Sequence, residues 1–370
     1  MYDYPSDNIA TMIPDDMSRI ERALMIVALL FIIVIAVKMT AYIVSLFLMS
    51  FVITLLALPT MNWLKSKGLS DFSSVMLITL LACLIAVAFI ALTALSFHTL
   101  ISDLPQYQDD LNMRLADITQ IFASAGFPNI LSTAPSLNIS DVMNVGIASA
   151  MSLADGLMFI FFVGVTSFFM LLEAPQLTRR FEQKFGKESE TVKKLSRMTG
   201  YVIDFIVVRT ETNFIHGFLF GGFLGIMGVH GAILWGVLTF LLGYIPYFGL
   251  IVAAVPALFF AWLQFGIPGA VAVIVAVGFL NLVVENPVYS FLTARKFEMP
   301  ALIVILSVII WGWLLGLVGM LFAIPFTLML LLTFELCEDL RWINVTLGIS
   351  HLFEERMEAG EPGKRQRNEP

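Results

Sequence analysis

The densest group of polar side chains inside apolar surroundings lies on one short stretch of the chain. This stretch carries Asp204, Arg209, Glu211, Asn213 and His216. On a helix, Asp204 and Glu211 share one face, whereas the other three lie roughly on the opposite face. An ionisable group at membrane depth is costly, so it normally faces a partner or a water-filled cavity. The pattern indicates either a polar lining for a substrate or proton path, or the interfacial start of a membrane span.

The region following this start is rich in glycine. His216 could relay protons or hydrogen-bond to a neighbouring helix, and we favour the hydrogen bond. Gly217, Gly221 and Gly225 then recur at four-residue spacing. In a membrane helix, such a face of small residues lets another backbone approach closely. A hinge is the alternative, and we favour packing because glycine is common in membrane helices.

Further candidates lie where apolar runs are interrupted. Asn281 and Glu285, with Asn286, end one such run and could form a gate or cap an interface. Pro246 and Pro325 lie inside apolar runs, where each frees backbone groups that lipid cannot satisfy. Broken elements in both halves of a chain indicate a transport site, and a simple kink is the alternative. The predicted helix breakers are Pro246, Gly249, Pro256, Gly312, Gly316, Gly319 and Pro325.

Length and composition place these residues in a membrane. The chain has 370 residues, of which 59% are apolar and 13% are charged. Soluble globular proteins carry roughly 25% charged residues. No Asp, Glu, Lys or Arg occurs in residues 212–284 or 299–334. As one straight helix the first stretch would be about 110 Å long, whereas the hydrocarbon core is about 30 Å thick. The sequence predicts an all-α polytopic membrane protein of about eight transmembrane elements, including two broken or re-entrant hairpins.

Composition and motifs also exclude several kinds of partner and site. The net charge of −7 argues against a nucleic-acid partner. Cys83 and Cys337 provide no disulfide framework and no metal-ligand spacing. Gly186-Lys187 lacks the remainder of a P-loop, so ATP-driven transport by this chain alone is not expected. Intramembrane protease motifs are absent from the sequence. We expect no enzymatic activity, no metal site and no cofactor.

The basic residues predict the orientation of the chain. Lys65, Lys67 and seven bases in residues 179–197 mark the cytoplasmic side, whereas residues 98–150 carry five Asp against one base, Arg114. Only Lys38 and Arg114 then remain as isolated bases outside. The predicted segments are a cytoplasmic N-terminal segment (1–22), three transmembrane helices (23–97), an extracytoplasmic amphipathic segment (98–150), a fourth transmembrane helix (151–173), a cytoplasmic amphipathic helix (174–200), a transmembrane core (201–334) with hairpins 231–263 and 301–334, and a cytoplasmic tail (335–370).

Three stretches resemble a known family. GYIPYFGLIVAAVPAL (243–258) resembles the I-P-x-x-G-x-x-x-A-x-x-P signature of the autoinducer-2 exporter (AI-2E) family of bacterial inner-membrane proteins. Residues 300–304 (PALIV) and WGWLLGLVGMLFAIPFTLML (311–330) are similar to the family's closing elements. Residues 209–217 resemble its K-T-x-x-S-x-x-T-G stretch, with Arg209, Asn213 and His216 replacing Lys, Ser and Thr. The sequence departs at Val288-Tyr289, where many members carry Glu-Pro.

The resemblance implies a secondary transporter of the bacterial inner membrane that is homo-oligomeric. Autoinducer-2 is the cargo of some members, and others exchange sodium or lithium for protons, so membership does not choose the cargo. The first hypothesis is export of a small polar solute, such as autoinducer-2 or a related quorum-sensing signal, driven by its gradient or by protons. The second is cation/proton antiport, for which the available acids are Asp155, Asp204, Glu211 and Glu285, all near predicted surfaces. The third is a non-transporting membrane scaffold or regulator.

Overall fold

The computed structural model describes residues 18–124, 139–186, 189–285, 287 and 299–349. Every regular element in these ranges is helical, which confirms the predicted all-α class. Predictions that concern residues 1–17 and 350–370, Asn286 and the Val288-Tyr289 pair lie outside the described residues, as does the side chain of Asp155.

We number the α-helices in chain order. They are α1 (Arg19–Met39), α2 (Ala41–Ser66), α3 (Asp71–Asp103), α4 (Tyr107–Ser124), α5 (Ile139–Phe185), α6 (Glu190–Met227), α7 (Ala232–Leu242), α8 (Gly249–Leu280), α9 (Ala301–Leu321), α10 (Ala323–Leu336) and α11 (Arg341–Thr346). Short 3₁₀ turns occupy Leu104–Gln106 and Glu338–Leu340, and a π-helical turn occupies Asn281–Glu285.

Five helical segments of the described chain are long and apolar enough to cross a membrane. They are Ala41–Ser66, Asp71–Ser124, Gly156–Phe185, Gly249–Glu285 and Ala301–Leu321. Three shorter apolar helices accompany them, namely Leu24–Met39, Ala232–Leu242 and Ala323–Leu336. Helix α6 is outside both groups although it has 38 residues, because the polar side chains described above interrupt its apolar sequence. The chain is a polytopic membrane protein whose most polar long helix is α6.

Helix α6 lies at the centre of the described bundle because both main apolar cores include its side chains. In the first core, Phe220 of α6 packs with Trp235 of α7 and Phe260 of α8. In the second, Val202 of α6 packs with Phe326 of α10 and with side chains of α2 and α9. The polar residues of α6 lie between these two cores along the same helix.

The ends of α6 follow ordinary capping chemistry. The Ser189 side chain accepts a hydrogen bond from the Val192 amide, which satisfies one of the free amides of the first turn. The helix ends at Gly228, whose φ of +77° is in the left-handed region that favours glycine. These caps fix where the central helix begins and ends.

The structure differs from the segment boundary predicted at residues 174–200. Residues 174–185 continue α5, and α6 begins at Glu190, so this region is not one helix. Gly186 lies between the two helices with a φ of +83°, a conformation that ends a helix readily at glycine. Helices α3 and α5 also extend into the predicted segment 98–150, where α4 forms the amphipathic helix.

Two predicted breakers, both prolines, do not break a helix, and Gly312 and Gly319 lie within α9 on either side of its interruption at Gly316. Pro325 is the third residue of α10, where first-turn amides have no intrahelical acceptor and a proline is tolerated. Pro256 lies inside α8 without ending it. The actual interruptions near them are at Phe322, before α10 begins, and in residues 243–248, before α8 begins.

A buried carboxylate ties the beginning of α6 to the end of α10. The side chain of Glu335 is 2% exposed, and its Oε1 lies 2.8 Å from Lys194 Nζ and 2.8 Å from Arg341 Nε. Asn344 Nδ2 donates to Glu335 Oε2 at 3.0 Å and to the Leu331 carbonyl at 3.1 Å. A buried charge is tolerated only with such partners. This network therefore anchors α11 to the bundle.

We expect Lys194→Met to lower the stability of the purified protein by about 1–3 kcal/mol, since it removes a charged hydrogen bond from a buried carboxylate. The matched control is Lys193→Met, because Lys193 forms an exposed pair with Glu190 at 3.6 Å and such pairs contribute little. Thermal unfolding in detergent measures both variants. Equal melting temperatures for the two variants would contradict the assigned role of Lys194.

Candidate functional site

An ion pair joins α6 to the π-helical turn after α8. Arg209 Nη1 lies 3.0 Å from both carboxylate oxygens of Glu285, and both side chains are mostly buried. Arg209 Nε donates to the Gly243 carbonyl at 2.9 Å, which adds the turn between α7 and α8 to the cluster. The structure therefore brings together two residues that lie at opposite ends of the long uncharged stretch of the sequence.

The side chain of Asn213 is the most unusual group in this cluster. It is 0% exposed, and neither its Oδ1 nor its Nδ2 has a hydrogen-bond partner among the described residues. The amide lies against Gly243, where an added Cβ would approach Asn213 Oδ1 to 2.5 Å. A buried polar group without a partner costs about 1–3 kcal/mol. Because the amide can both donate and accept, the cluster retains hydrogen-bonding capacity for a ligand.

Two further hydrogen bonds complete the cluster. The hydroxyls of Thr210 and Tyr244 are 2.7 Å apart. His216 is buried, and its Nε2 lies 3.1 Å from the Leu280 carbonyl of α8. This is the helix-to-helix hydrogen bond considered for His216 in the sequence. Together with the ion pair, these contacts hold α6, the turn at residues 243–248 and the end of α8 around the Asn213 amide.

Backbone irregularity on both sides of α6 positions these groups. The π-helical turn Asn281–Glu285 places Glu285 opposite Arg209, and such turns are frequent at functional sites. In the turn between α7 and α8, Tyr247 has a φ of +65°, which is uncommon outside glycine. Gly249 is needed because a Cβ there would lie 2.5 Å from the Leu242 carbonyl carbon. The predicted breakers Pro246 and Gly249 thus belong to the turn that supplies the Gly243 carbonyl.

The second group of predicted breakers packs against this turn. Ile245 forms a buried cluster with Val308 of α9 and Ala323 of α10. The chain reverses at Gly316, whose φ of +68° and ψ of −146° interrupt α9. A Cβ on Gly312 would lie 2.6 Å from Met320 Cγ, and Gly319 is packed equally closely. The two interrupted regions, separate in sequence, therefore meet in the fold.

Three of the predicted site residues lie away from the cluster. Asp204 is half-buried at the start of the polar stretch of α6. Glu211 is exposed on the face of α6 opposite Arg209 and Asn213, and Asn281 is exposed at the beginning of the π-helical turn. No described hydrogen bond links Glu211 or Asn281 to the ion pair. Helical spacing therefore correctly predicted two faces of α6: Arg209, Asn213 and His216 belong to the cluster, whereas Glu211 lies on the other face.

The glycine face of α6 packs closely on α7. A Cβ on Gly217 would lie 2.5 Å from the Gly236 carbonyl oxygen, and one on Gly221 would lie 3.2 Å from Gly236 Cα. Around Gly225 the nearest atom, the Ala232 Cβ, is at an ordinary 3.9 Å. The favoured packing interpretation is confirmed for Gly217 and Gly221.

Within the described ranges, no group of three or more His, Cys, Asp or Glu side chains could hold a metal ion. The side chains present in the cluster are the Arg209–Glu285 ion pair, the Asn213 amide, two hydroxyls and the His216 imidazole.

Comparison with known proteins identifies the family. The model of the AI-2E family transporter matches residues 24–338. This chain belongs to the AI-2E transporter family. It is 28% identical over 324 residues to a putative transport protein of Haemophilus influenzae, covering 86% of this chain and 93% of that protein. It is 26% identical over 315 residues to the AI-2 transport protein TqsA of Escherichia coli, covering 85% and 92%.

The AI-2E assignment confirms the resemblance drawn from the sequence motifs, and it supports a transporter role for this multi-pass membrane protein. The matched range contains every member of the cluster around Asn213. A further relative, the putative transport protein YhhT of Escherichia coli, is 26% identical over 298 residues, covering 80% of this chain and 82% of that protein.

Sequence reasoning missed three contributors to the cluster in this AI-2E family member. Tyr244, Thr210 and the Gly243 carbonyl were not among the candidates. Tyr244 and Gly243 could have been found from their position just before Pro246, because an interrupted helix leaves backbone carbonyls free to bind side chains. The Glu335 network was also missed, although Glu335 is the first charge after residues 299–334.

Proposed function

We propose that this protein is a secondary transporter that exports a small polar solute across the bacterial inner membrane. The observation that carries the proposal is the fully buried Asn213 amide, which has no partner among the described residues and lies beside the Arg209–Glu285 pair. Autoinducer-2 or a related signalling molecule is a suitable cargo, because the relative TqsA is named an AI-2 transport protein. The proposal includes cytoplasmic termini and a homo-oligomer.

The charge of the cluster supports an uncharged cargo. Arg209 and Glu285 neutralise each other, since both carboxylate oxygens lie 3.0 Å from the same guanidinium nitrogen. The groups left for a ligand are the Asn213 amide and the paired hydroxyls of Thr210 and Tyr244. Such groups bind hydroxyls and carbonyls and leave little net charge for an ion. A small solute with several hydroxyl or carbonyl groups fits this chemistry.

Cation/proton antiport is the alternative, and it needs a carboxylate that gains and loses a proton at membrane depth. Glu285 is the acid of the cluster, and both of its carboxylate oxygens lie 3.0 Å from Arg209 Nη1. The scaffold hypothesis requires no flux at all. Export, antiport and a scaffold therefore predict different results in the same reconstituted protein.

A comparison of the solutes retained by cells with and without the gene would first identify the cargo. Proteoliposomes of the full chain would then take up the labelled solute under the export proposal. Release of an imposed proton gradient by sodium or lithium, without solute uptake, would support antiport instead. Absence of both fluxes, with a cellular phenotype that depends on residues 354–370, would support a scaffold.

We expect Asn213→Leu to abolish solute uptake and to leave stability unchanged or raised by about 1–3 kcal/mol, since it removes a buried polar group without a partner. Because leucine could be too large for the space beside Gly243, Asn213→Ala serves as a smaller apolar replacement, and it should also lose uptake. Asn213→Ser, the residue of the family pattern, should retain uptake because it keeps a hydrogen-bonding group.

The matched control is Thr212→Val, because the neighbouring Thr212 hydroxyl is buried and donates to the Val208 carbonyl of its own helix. Uptake and melting temperature, measured on the same preparations, should stay near wild type in this control. Full uptake by Asn213→Leu would rule out a role for the amide in binding cargo.

A further inference from the structure

The chain reverses direction at two glycines that share one backbone conformation. Gly266 in α8 has a φ of +69° and a ψ of −154°, and Gly316 in α9 has a φ of +68° and a ψ of −146°. This region is essentially restricted to glycine. We call residues 261–269 the first tip and residues 311–319 the second tip.

The two tips also share their close backbone contacts. A Cβ on Gly269 would overlap the carbonyl oxygen of Ala261, eight residues earlier, and would lie 2.7 Å from Phe265 Cβ. A Cβ on Gly319 would overlap the Trp311 carbonyl, also eight residues earlier, and would lie 2.9 Å from the side chain four residues earlier. Eight residues of straight helix span about 12 Å. Each tip is therefore the same sharp reversal of a helix.

A reversal of this kind leaves helix carbonyls without intrahelical partners. The last carbonyls of a helix accept no hydrogen bond from later amides of that helix, and they form the negative end of its dipole. The helical segments that end at Gly266 and Gly316 therefore each present a negative end at their tip, where a cation is favoured.

Each tip receives a basic side chain from a different helix. Arg114 of α4 donates from Nε to the Leu263 carbonyl at 3.1 Å and from Nη2 to the Gln264 carbonyl at 3.3 Å. Lys38 of α1 donates from Nζ to the Trp313 carbonyl and lies 5.3 Å from the centre of the Trp313 ring. Leu263 and Trp313 occupy equivalent positions, each three residues before its glycine. The two cations cap matching carbonyls.

The positions of Lys38 and Arg114 in the predicted topology support a common role for the two residues. Lys38 and Arg114 are the isolated bases that the predicted topology leaves on the outer side, where the positive-inside rule disfavours them. The structure places both on equivalent tip carbonyls. A shared role in holding the two matching tips accounts for both exceptions.

We propose that Lys38 and Arg114 are equivalent positioning residues that hold the two tips at the outer end of the transport pathway, and that their release is a step of the transport cycle. This inference rests on the proposed export function. A charged side chain with one or two hydrogen bonds can be released more readily than a packed helix interface, so it holds a tip and still permits movement.

The surroundings of the first tip permit such movement. An open cleft of about 520 Å³ separates α4 from the first tip, and Arg114, Trp262 and Gly266 are among its lining residues. The guanidinium bridges the two elements at the edge of this cleft. Loss of these hydrogen bonds would free the part of the tip that faces the cleft, at Gly266 and Ile267, whereas Leu263 remains in the apolar core.

Hydrogen–deuterium exchange of the purified full chain without cargo tests the tethers directly. Arg114→Met should raise exchange about tenfold in the first tip and not in the second, and Lys38→Met should do the reverse, as expected for loss of a charged hydrogen bond. Arg114→Lys and Lys38→Arg should restore most of the protection, because each keeps a cation within reach. A purely packing role would not be rescued by charge.

Two matched controls remove charges that do not hold a tip. Asp117→Asn affects the exposed partner 3.4 Å from Arg114, and Lys65→Met affects an ion pair with Asp71. Both should leave exchange in the tips unchanged. Unchanged tip exchange in Arg114→Met and Lys38→Met would overturn the tether assignment.

Sidedness and transport separate this inference from the proposed function. In a background lacking Cys83 and Cys337, Ile267→Cys and Leu317→Cys should both react with a membrane-impermeant thiol reagent from the outside, and labelling from opposite sides would overturn the common outer location.

In proteoliposomes, the Arg114→Met and Lys38→Met variants should change the maximal rate of uptake more than the half-saturating solute concentration. If the Met variants alter exchange in the tips but the wild-type protein takes up no solute, export is rejected while Lys38 and Arg114 still hold the tips. If both Met variants take up solute with wild-type kinetics, release of these two side chains is not a step of the transport cycle.

Discussion

Arg209→Met abolishes solute uptake and destabilises the protein, because it leaves Glu285 as a mostly buried charge without its guanidinium partner. Breaking a buried ion pair from one side costs about 3–5 kcal/mol. The lower end of this range is expected, since the Glu285 side chain remains 30% exposed. Glu285→Gln should have a smaller effect on stability, because a neutral amide can still accept from Arg209. Uptake in proteoliposomes and thermal unfolding of the same preparation measure the two effects.

The double variant Arg209→Met/Glu285→Leu separates folding from transport. Replacing both partners of a buried pair by apolar groups is often neutral or stabilising, so the melting temperature should recover relative to Arg209→Met. Uptake should remain absent, because the Gly243 carbonyl loses its donor and the cluster around Asn213 loses its polar boundary. Recovery of uptake in the double variant would show that the pair is only structural.

Glu211→Gln is the matched control for this carboxylate. Glu211 lies on the same helix as Arg209 but is exposed on the other face. We expect near wild-type uptake and melting temperature. A complete loss of uptake in Glu211→Gln with an intact melting temperature would move the pathway to that face of α6.

Gly249→Ala should destabilise the protein by about 3 kcal/mol or more, at the upper end of the range for overpacking. The added methyl group would overlap the carbonyl of Leu242 and push apart α7 and α8 at their connecting turn. Displacement of this turn also moves the Gly243 carbonyl away from Arg209, so uptake should be lost with stability. Yield, melting temperature and uptake are the three measurements.

Gly278→Ala is the control within the same helix. Beyond the backbone of its own helix and its chain neighbours, no atom lies within 4 Å of a Cβ built on Gly278, and alanine is the better helix former by roughly 0.5–1 kcal/mol. We expect unchanged or slightly raised stability and unchanged uptake. Equal losses in Gly249→Ala and Gly278→Ala would mean that any methyl group on α8 is harmful and that the turn has no special role.

The class of the protein could be predicted from the sequence because it depends on composition and spacing along the chain. The uncharged stretches 212–284 and 299–334 require a membrane whatever their partners are. The breaks at Pro246 and Gly316 could be located because proline removes a backbone donor and glycine permits conformations that other residues avoid. Helical spacing also placed Arg209, Asn213 and His216 on one face, away from Glu211, and the structure has this division.

Local patterns were insufficient where the outcome depends on the neighbouring residue in space. Pro325 and Pro256 have the breaker signal, yet one begins a helix and the other lies within one. The apolar residues of 174–200 recur at helical spacing on both sides of Gly186, so the sequence pattern suggests one helix although the chain forms two. Whether a chain continues or turns at such positions is decided by packing rather than by residue type.

The sequence by itself determined that this protein is a helical membrane protein of the AI-2E family with polar groups on one face of α6. Only the tertiary structure decided that Arg209 pairs with Glu285, that Asn213 is buried without a partner among the described residues, and that Lys38 and Arg114 cap matching tips. The physical reason is the separation in sequence of the residues that interact. Composition and periodicity describe residues near in sequence, whereas these contacts join residues far apart in sequence, which come together only when the helices pack.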